Sequence, residues 1–401
     1  MKKIVATLFF ILFSSSVFAN NAEDIISEQK DLTKDETEVI FEEPIVLDNE
    51  KTLEYEIEKE INPYTKEALK GIIEKEYDLN STEGMFHKQL TANFHKGFVK
   101  NVSLQGNFIF NFAESIEKND SDLKFKTQLI NVGLNGEFKN KKDRYNMLFD
   151  LTPDIKDSFF HRLVLDAWVE TKRIPHHTFM FGTSRPNVGY EGGQSPYLIP
   201  LLNRSQTARN FGNIRKTGVR IKGDYKYVDY DLGGYSSDTW YSEFFPGVET
   251  DLWVNFKPFA NVKEKIGNLN IGGGIATGSR NSHDFLVTSA AIRYDYKNFW
   301  LRMEYQNADG SNGNDGLTDK KRWGYNFTIA YKITKKLELL FRYDDFDPDK
   351  SIAKNNTREY TAGINYFILG QTVRVMLNYV FCQNSILSNS HRILVGTQFL
   401  L

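Results

Sequence analysis

The chain has 401 residues, a formal net charge of −2 and one cysteine, Cys382, so an internal disulfide framework is excluded. Aromatic side chains make up 14% of the residues although the mean hydropathy is only −0.46. No apolar run of about 18 residues follows the first 19, which excludes a transmembrane helix there.

Residues 1–19 have the three parts of a secretory signal peptide. Lys2 and Lys3 form a basic start, residues 4–13 an apolar core too short to span a membrane, and Val17 and Ala19 a small-residue cleavage site. A short buried helix fits the charged start and the serine-rich end less well. We therefore expect export, with the mature chain beginning at Asn20.

Residues 20–85 form an acidic segment. Within residues 21–85, 20 Asp and Glu stand against 7 Lys, a net charge of −13, which leaves +9 for residues 86–401. Low hydrophobicity with one sign of charge cannot offset chain entropy, so we expect a partly helical or disordered periplasmic extension. Attachment to the cell wall or to a partner is the alternative to a plain linker.

From Val102 to the C-terminus, apolar residues recur at every second position. Val102, Leu104, Phe108 and Phe110 alternate with polar residues, and Ile109 breaks the pattern. The period returns in residues 163–170, where Leu165 falls on the apolar face, and in 299–306, 323–331, 337–343, 373–381 and 393–401. Strands with one apolar and one polar face predict an all-β, transmembrane antiparallel β-barrel over residues 86–401.

A soluble β-sandwich is the alternative fold, but it seldom places Arg, Glu and Gln opposite the apolar face of long, aromatic-ended strands. Short turns such as residues 334–336 alternate with polar stretches at 307–321 and 344–357. We interpret the polar stretches as long loops at one end of the barrel.

Nine basic residues and a single acid, Glu191, occupy residues 171–223. Because internal pairing lacks enough local acids, we expect these cations to meet passing anions. The donor fork of arginine matches phosphate or carboxylate geometry. The predicted anion pathway, at a constriction and along the lumen, consists of Arg185, Arg204, Arg209, Arg215, Lys216, Arg220 and Lys222.

The stretch GTSRPNVGYEGGQSPYLIPLL, residues 182–202, is rich in Gly, Pro and Ser and interrupts the strand pattern. It is long for a connection, and in a barrel such a loop can fold inward and narrow the channel. Basic residues in this position would replace part of the hydration of an anion and exclude cations.

Four short motifs in this region carry a family resemblance. They are Gly182-Thr183-Ser184-Arg185-Pro186, Gly189-Tyr190-Glu191, Leu202-Asn203-Arg204-Ser205 and Arg215-Lys216-Thr217-Gly218-Val219, in this order. The layout resembles the phosphate-selective porin O and P family over about residues 90–401. The resemblance implies a 16-stranded outer-membrane barrel that forms a trimer and passes anions, with arginines and lysines at the constriction. The acidic extension is not a general feature of that family.

Motifs for catalysis or metal binding fail on their spacing. His176 and His177 are adjacent and point to opposite faces of a strand, and Lys350 stands where a calcium loop starting at Asp345 needs glycine. The Ser-His pairs at 282–283 and 390–391 cannot form a catalytic triad. We therefore expect no enzymatic activity, no cofactor, no metal site and no nucleic-acid partner.

Two functions remain open. The first is an outer-membrane porin, a passive diffusion channel for small solutes with a preference for anions such as phosphate. The alternative is a structural or adhesive outer-membrane barrel that is anchored to the cell wall or a partner through its acidic arm. The expected location is the outer membrane of a Gram-negative cell. The expected partners are outer-membrane lipid, small anionic solutes and two further copies of the chain in a homotrimer.

Overall fold

A computed structural model describes residues 91–117, 120–152, 163–238, 243, 245–314, 316–386 and 388–400. The predicted signal peptide and acidic extension lie outside these residues, as do residues 86–90 of the predicted barrel segment.

Strands dominate the part of the chain that the structure describes. In chain order they are β1 (Thr91–Asn93), β2 (Asn101–Glu117), β3 (Asp120–Glu137), β4 (Asp143–Asp150), β5 (Val164–Thr171), β6 (His177–Ser184), β7 (Lys216–Asp224), β8 (Val228–Ser236), β9 (Val248–Phe256), β10 (Asn268–Arg280), β11 (His283–Tyr296), β12 (Phe299–Gly313), β13 (Gly316–Lys332), β14 (Leu337–Asp347), β15 (Thr357–Leu369), β16 (Val373–Asn384) and β17 (Ser390–Leu400). The described helical pieces are a 3₁₀ turn (Pro196–Leu198), α1 (Gln206–Asn210) and α2 (Lys263–Ile266). Among the described residues, no helix is long and apolar enough to cross a membrane.

Strands β2 to β17 close into a barrel of 16 antiparallel strands. Each pairs with its neighbour in sequence, and β17 pairs with β2 from Ser390 opposite Glu117 to Leu400 opposite Asn107. The short β1 pairs with residues 101–103 of β2, beyond the point at which β17 ends. The predicted all-β antiparallel barrel is confirmed. Because the described strands form a closed ring, neither edge of this sheet is left unpaired.

The alternation of side chains is clearest in β9, where successive residues are exposed and buried without exception. The outward set is Val248, Thr250, Leu252, Val254 and Phe256. The inward set is Glu249, Asp251, Trp253 and Asn255. The outer wall is therefore apolar and the inner wall carries the charges, which is the arrangement that a lipid solvent requires.

The two ends of the barrel differ in their connections. One end, which we call the turn end, carries the start of β2, the end of β17 and the connections 138–142, 172–176, 225–227, 257–267, 297–298, 333–336 and 370–372. The opposite end, the loop end, includes the much longer connection 185–215. The difference matches the short periplasmic turns and longer external loops of outer-membrane barrels.

The predicted long loop at residues 307–321 is wrong. These residues continue β12 and β13 as a tall hairpin, paired from Asn307 opposite Trp323 to Gly313 opposite Gly316. Polar side chains of this hairpin are buried and hydrogen-bonded within the protein: Ser311 accepts from Arg322 at 3.2 Å, and Asn312 donates to the carbonyl of Ser237 at 2.7 Å. The second predicted loop is shorter than 344–357, since β14 runs on to Asp347.

The predicted outward position of Leu165 is also wrong. The pairing of β4 with β5 shifts its register, with Leu148 opposite Asp166 and Phe149 opposite Val164. Leu165 is left between these pairs and turns inward, where only 2% of it is exposed. A bulge of this kind adds one residue to one strand and reverses the alternation locally.

Replacing Leu252 by Arg should destabilise the folded barrel in lipid by about 2–4 kcal/mol, because Leu252 faces outward midway along β9. Urea titration of the protein in lipid vesicles measures this cost. Val248→Arg, on the same face at the end of the strand, should cost only about 0–1 kcal/mol. Equal costs at the two positions would contradict a lipid-facing outer wall.

Candidate solute pathway

The connection between β6 and β7, residues 185–215, lies inside the barrel, and we call it the lumen loop. It leaves the wall after Ser184 and returns at Lys216. Its helix α1 contacts β12, β13 and β14, which lie about half-way round the wall from β6 and β7. The loop therefore crosses the lumen, as the Gly- and Pro-rich sequence of residues 182–202 predicts.

Two leucines of the lumen loop pack against the opposite wall. Leu202 packs with Ile109, Met376, Val380 and Leu394. Leu201 packs with Trp300, Ala330 and Leu340. Ile109, which breaks the alternation in the sequence, thus faces the lumen and contacts Leu202. Burial of each leucine stabilises the docked loop by about 1.5–3 kcal/mol.

Two wall carboxylates accept hydrogen bonds from backbone N–H groups of the lumen loop. Glu304 of β12 accepts from Tyr190 at 2.9 Å and from Glu191 at 3.1 Å. Asp344 of β14 accepts from Gln206 at 2.9 Å. Gly189 has a φ of +76°, and a Cβ there would collide with Glu304 Oε1, so this close approach requires glycine.

Wall side chains also bind backbone groups in the middle of the lumen loop. Arg342 donates to the carbonyl of Asn203 at 2.9 Å, and Arg374 donates to the carbonyl of Ile199 at 2.5 Å. The side-chain oxygen of Asn378 accepts from the N–H of Leu202 at 2.8 Å. Because a buried backbone group without a partner costs about 1–3 kcal/mol, these bonds hold the loop in one position.

A cavity of about 400 Å³ lies beside the lumen loop. Five arginines line it, namely Arg185, Arg204, Arg209, Arg215 and Arg374. Asp150 is the one acidic residue among the described lining residues. Four of the seven predicted pathway residues thus meet here, together with Arg374 from the facing wall.

Three of the five cavity arginines have no carboxylate within 4 Å among the described residues: Arg185, Arg204 and Arg374. Arg204 donates instead to the carbonyls of Glu191 and Gln194, the latter at 2.6 Å. Burial lowers its pKa to about 10, so it stays charged at neutral pH. Its hydrogen-bond partners are neutral carbonyls, while the nearby carboxylates of Glu191 and Glu304 act to raise its pKa.

Arg185 is the most isolated of these cations. Only 7% of it is exposed, one guanidinium nitrogen donates to Asn213 Oδ1, and Nη2 is buried without a hydrogen-bond partner in the described structure. Burial lowers the pKa of Arg185, and the nearby charges of Arg215 and Arg204 act in the same direction. An anion in the cavity would relieve this mutual repulsion and could accept from Nη2.

The other two cavity arginines each have one carboxylate partner. Arg209 donates to Glu359 at 2.6 Å, and Arg215 donates to Asp166 at 3.1 Å. The three predicted residues of β7 are not among the residues that line the cavity. Lys216 pairs with Glu249 and Arg220 with Asp231, and Lys222 lies opposite Asp231 in the pairing of β7 with β8.

The expectation that the cluster lacks acids for internal pairing is therefore wrong. Asp166 and Asp231 lie just outside the cluster in sequence, whereas Glu249 and Glu359 lie farther along the chain, and folding brings all four to its cations. Strand pairing places β8 beside β7 and β9 on the far side of β8, and the lumen loop carries Arg209 across to β15.

The comparisons with known proteins agree with this architecture. Residues 282–392 match the model of the family described as phosphate-selective porin O and P, which confirms the predicted resemblance. The matched residues lie C-terminal to the motifs that first indicated the family. No curated protein matches the chain by sequence. The chain has the fold of an outer-membrane porin.

Solved porins share its fold at low sequence identity. The anion-selective porin from Comamonas acidovorans gives a TM-score of 0.56 at 13% identity, over 75% of this chain and 99% of that one. OmpF of Salmonella typhi, solved in complex with daunomycin, gives 0.58 at 12% identity, over 75% and 98%. The trimer form of OmpT from Vibrio cholerae gives 0.53 at 12% identity, over 75% and 99%.

Arg374 and Asp150 line the cavity of this porin but were not among the predicted pathway residues. Each is a single charge in or beside a strand, so neither contributes to a cluster in the sequence. The alternation does predict that Arg374 faces the lumen, since it lies between the apolar Val373 and Val375, but it does not predict that Arg374 meets the cations of the lumen loop.

Replacing Lys216 by Met should destabilise the porin by about 3–5 kcal/mol, because it leaves Glu249 buried without its partner. The double variant Lys216→Met, Glu249→Leu should recover most of this loss. Urea unfolding in vesicles measures both. Arg173→Gln, which removes an exposed partner of Asp143, is the control and should cost at most about 1 kcal/mol. If Lys216→Met costs no more than this control, the buried pair does not stabilise the barrel.

Replacing Glu304 by Gln should loosen the lumen loop. The two carboxylate oxygens of Glu304 each accept from one N–H group of the loop, whereas the amide of Gln has only one oxygen that can accept. We expect larger and noisier single-channel currents in planar bilayers. Asp309→Asn is the control, since Asp309 lies on the same strand but is exposed and pairs with Lys321. Identical current traces for Glu304→Gln and the wild type would show that Glu304 does not hold the loop.

Proposed function

We propose that this porin is a passive diffusion channel with a preference for small anions. The observation that carries the proposal is the cavity beside the lumen loop. It is lined by five arginines, and Asp150 is the one acidic residue among its described lining residues. The lumen loop narrows the passage, and the arginines raise the local concentration of anions within it. The porin match supports a channel rather than an enzyme.

Several features of the cavity favour oxyanions such as phosphate and carboxylates. Guanidinium groups present paired donors that match two oxygens of such an anion. Arg185 Nη2 is a donor that has no hydrogen-bond partner in the described structure. The charges of Arg204 and Arg215 lie close enough to lower the pKa of Arg185. The family whose model matches is named for phosphate selectivity, and one structurally similar porin is described as anion-selective.

The proposed pathway comprises Arg185, Arg204, Arg209 and Arg215 at the constriction, with Lys216, Arg220 and Lys222 along the wall. The first four act directly on solutes. The last three contribute through the field of the lumen, since Lys216 and Arg220 have carboxylate partners.

We further propose export by the signal peptide of residues 1–19 and assembly as a homotrimer in the outer membrane. The structural likeness to a porin described in a trimer form supports the assembly. The apolar outer wall supplies the surface that lipid and neighbouring copies would cover.

Replacing Arg185 by Gln should reduce the anion preference of the channel. The substitution removes the charge with no carboxylate partner while keeping a side chain that can reach Asn213. In planar bilayers under a potassium chloride gradient, the reversal potential should move toward that of a non-selective pore. The shift should be largest at low salt, because salt screens the arginine charges.

Arg358→Gln is the matched control. Arg358 pairs with Asp345 and is not among the described residues that line the cavity. Its replacement removes one positive charge and should leave the reversal potential unchanged. A wild-type reversal potential in Arg185→Gln, or an equal shift in both variants, would argue against the cavity as the selectivity filter. A cation-selective or silent wild-type channel would overturn the proposed function itself.

A further inference from the structure

Exposed basic residues surround the turn end of the barrel. The connections 138–142, 172–176, 225–227, 257–267, 297–298 and 333–336 carry eleven exposed Lys and Arg against one exposed acid, Glu264. These are six of the seven connections at this end, and we call them together the turn-end collar. The collar has one sign of charge around nearly the whole circumference.

Part of this charge is paired with carboxylates of the wall, as in Lys172, which lies 3.9 Å from Glu170. Arg173 pairs with Asp143 at 2.6 Å, whereas Lys226, Lys263 and Lys297 have no carboxylate within 4 Å among the described residues. Lys226 lies over the ring of Tyr227 at 5.5 Å, and Lys297 over the ring of Tyr296 at 5.0 Å. The ammonium groups therefore lie beside aromatic side chains of the wall.

The connection 257–267 combines both properties most clearly. It is the longest connection of the turn end and contains helix α2. Val262 and Ile266 are 40% and 44% exposed, and Lys263 and Lys265 beside them are exposed as well. Apolar side chains next to long basic ones, at the rim of an apolar wall, are typical of a segment at the boundary between lipid tails and headgroups.

We propose that the turn-end collar binds the headgroups of anionic phospholipids in the membrane leaflet at that end of the barrel. The cations follow the wall through six successive connections and alternate with exposed apolar side chains. Lipid borders every part of the wall that neighbouring copies do not cover, whereas a soluble protein partner would contact one compact side. Clusters of lysines at a membrane surface attract anionic lipid over a Debye length.

The loop end lacks this uniform charge among its described residues. Its exposed acids include Asp284, Asp309 and Asp319, and its exposed lysines include Lys320 and Lys321. Asp309 and Lys321 pair with each other at 3.1 Å. The cationic rim is thus specific to the turn end.

The test measures which lipids the intact porin retains. The full chain is reconstituted in equal parts of phosphatidylglycerol and phosphatidylcholine, extracted mildly and analysed by native mass spectrometry. We expect enrichment of phosphatidylglycerol on the wild type. The triple variant Lys263→Gln, Lys265→Gln, Lys297→Gln should lower that enrichment at least about tenfold.

A second collar variant, Lys142→Gln, Lys172→Gln, Lys226→Gln, changes other connections and should have a similar effect. The matched control is Lys320→Gln, Lys321→Gln, Lys350→Gln at the loop end, which removes the same charge and should keep the enrichment. Thermal unfolding checks that all the variants are folded.

The proposal would be overturned if the wild-type protein retained the two lipids in the proportions of the bulk mixture. It would also be overturned if both collar variants kept the enrichment of phosphatidylglycerol. Equal loss in the loop-end control would overturn it too, since net charge alone would then explain the effect. If the collar variants keep their lipid but lose binding to isolated cell-wall glycan, an acidic glycan is the partner and the lipid proposal is wrong.

Discussion

The solute pathway depends on how the backbone N–H and C=O groups of the lumen loop find hydrogen-bond partners inside the barrel. Residues 185–215 contain little regular structure, so their N–H and C=O groups need partners other than each other. Wall side chains provide them: Glu304 and Asp344 accept from N–H groups, and Arg342 and Arg374 donate to carbonyls. The leucines that pack on the same wall add apolar contact, but the hydrogen bonds determine where each part of the loop lies.

The barrel could be predicted from the sequence because alternation is a local property. Whether a side chain faces lipid or lumen is set by its position in a strand, and β9 follows this rule at every residue. The rule failed where local geometry changed. A shift of register turned Leu165 inward, and a polar stretch proved to be a tall hairpin because periodicity does not report where the membrane ends.

The cations of the pathway were predictable as a cluster, but their partners were not. Lys216 meets Glu249 because β7, β8 and β9 are adjacent, and Arg209 meets Glu359 because the lumen loop crosses to β15. The first contact depends on the register of three consecutive strands and the second on the docking of the lumen loop, and sequence spacing encodes neither. One residue in the sequence does indicate the docking of the loop. Ile109 is an apolar residue on the polar face of its strand, and it packs against Leu202.

The type of partner decides whether a fixed arginine can still act on an anion. A carboxylate orients a guanidinium and cancels its charge, as Asp231 does for Arg220 in the wall. A backbone carbonyl orients it equally well and leaves the charge in place, as in Arg204 and Arg374. Because a guanidinium has five donors, one arginine can hold the lumen loop and still present a positive charge to the cavity. The same carbonyl bonds that fasten the loop therefore keep its passage cationic, and a change that loosened the loop would also disperse the charge.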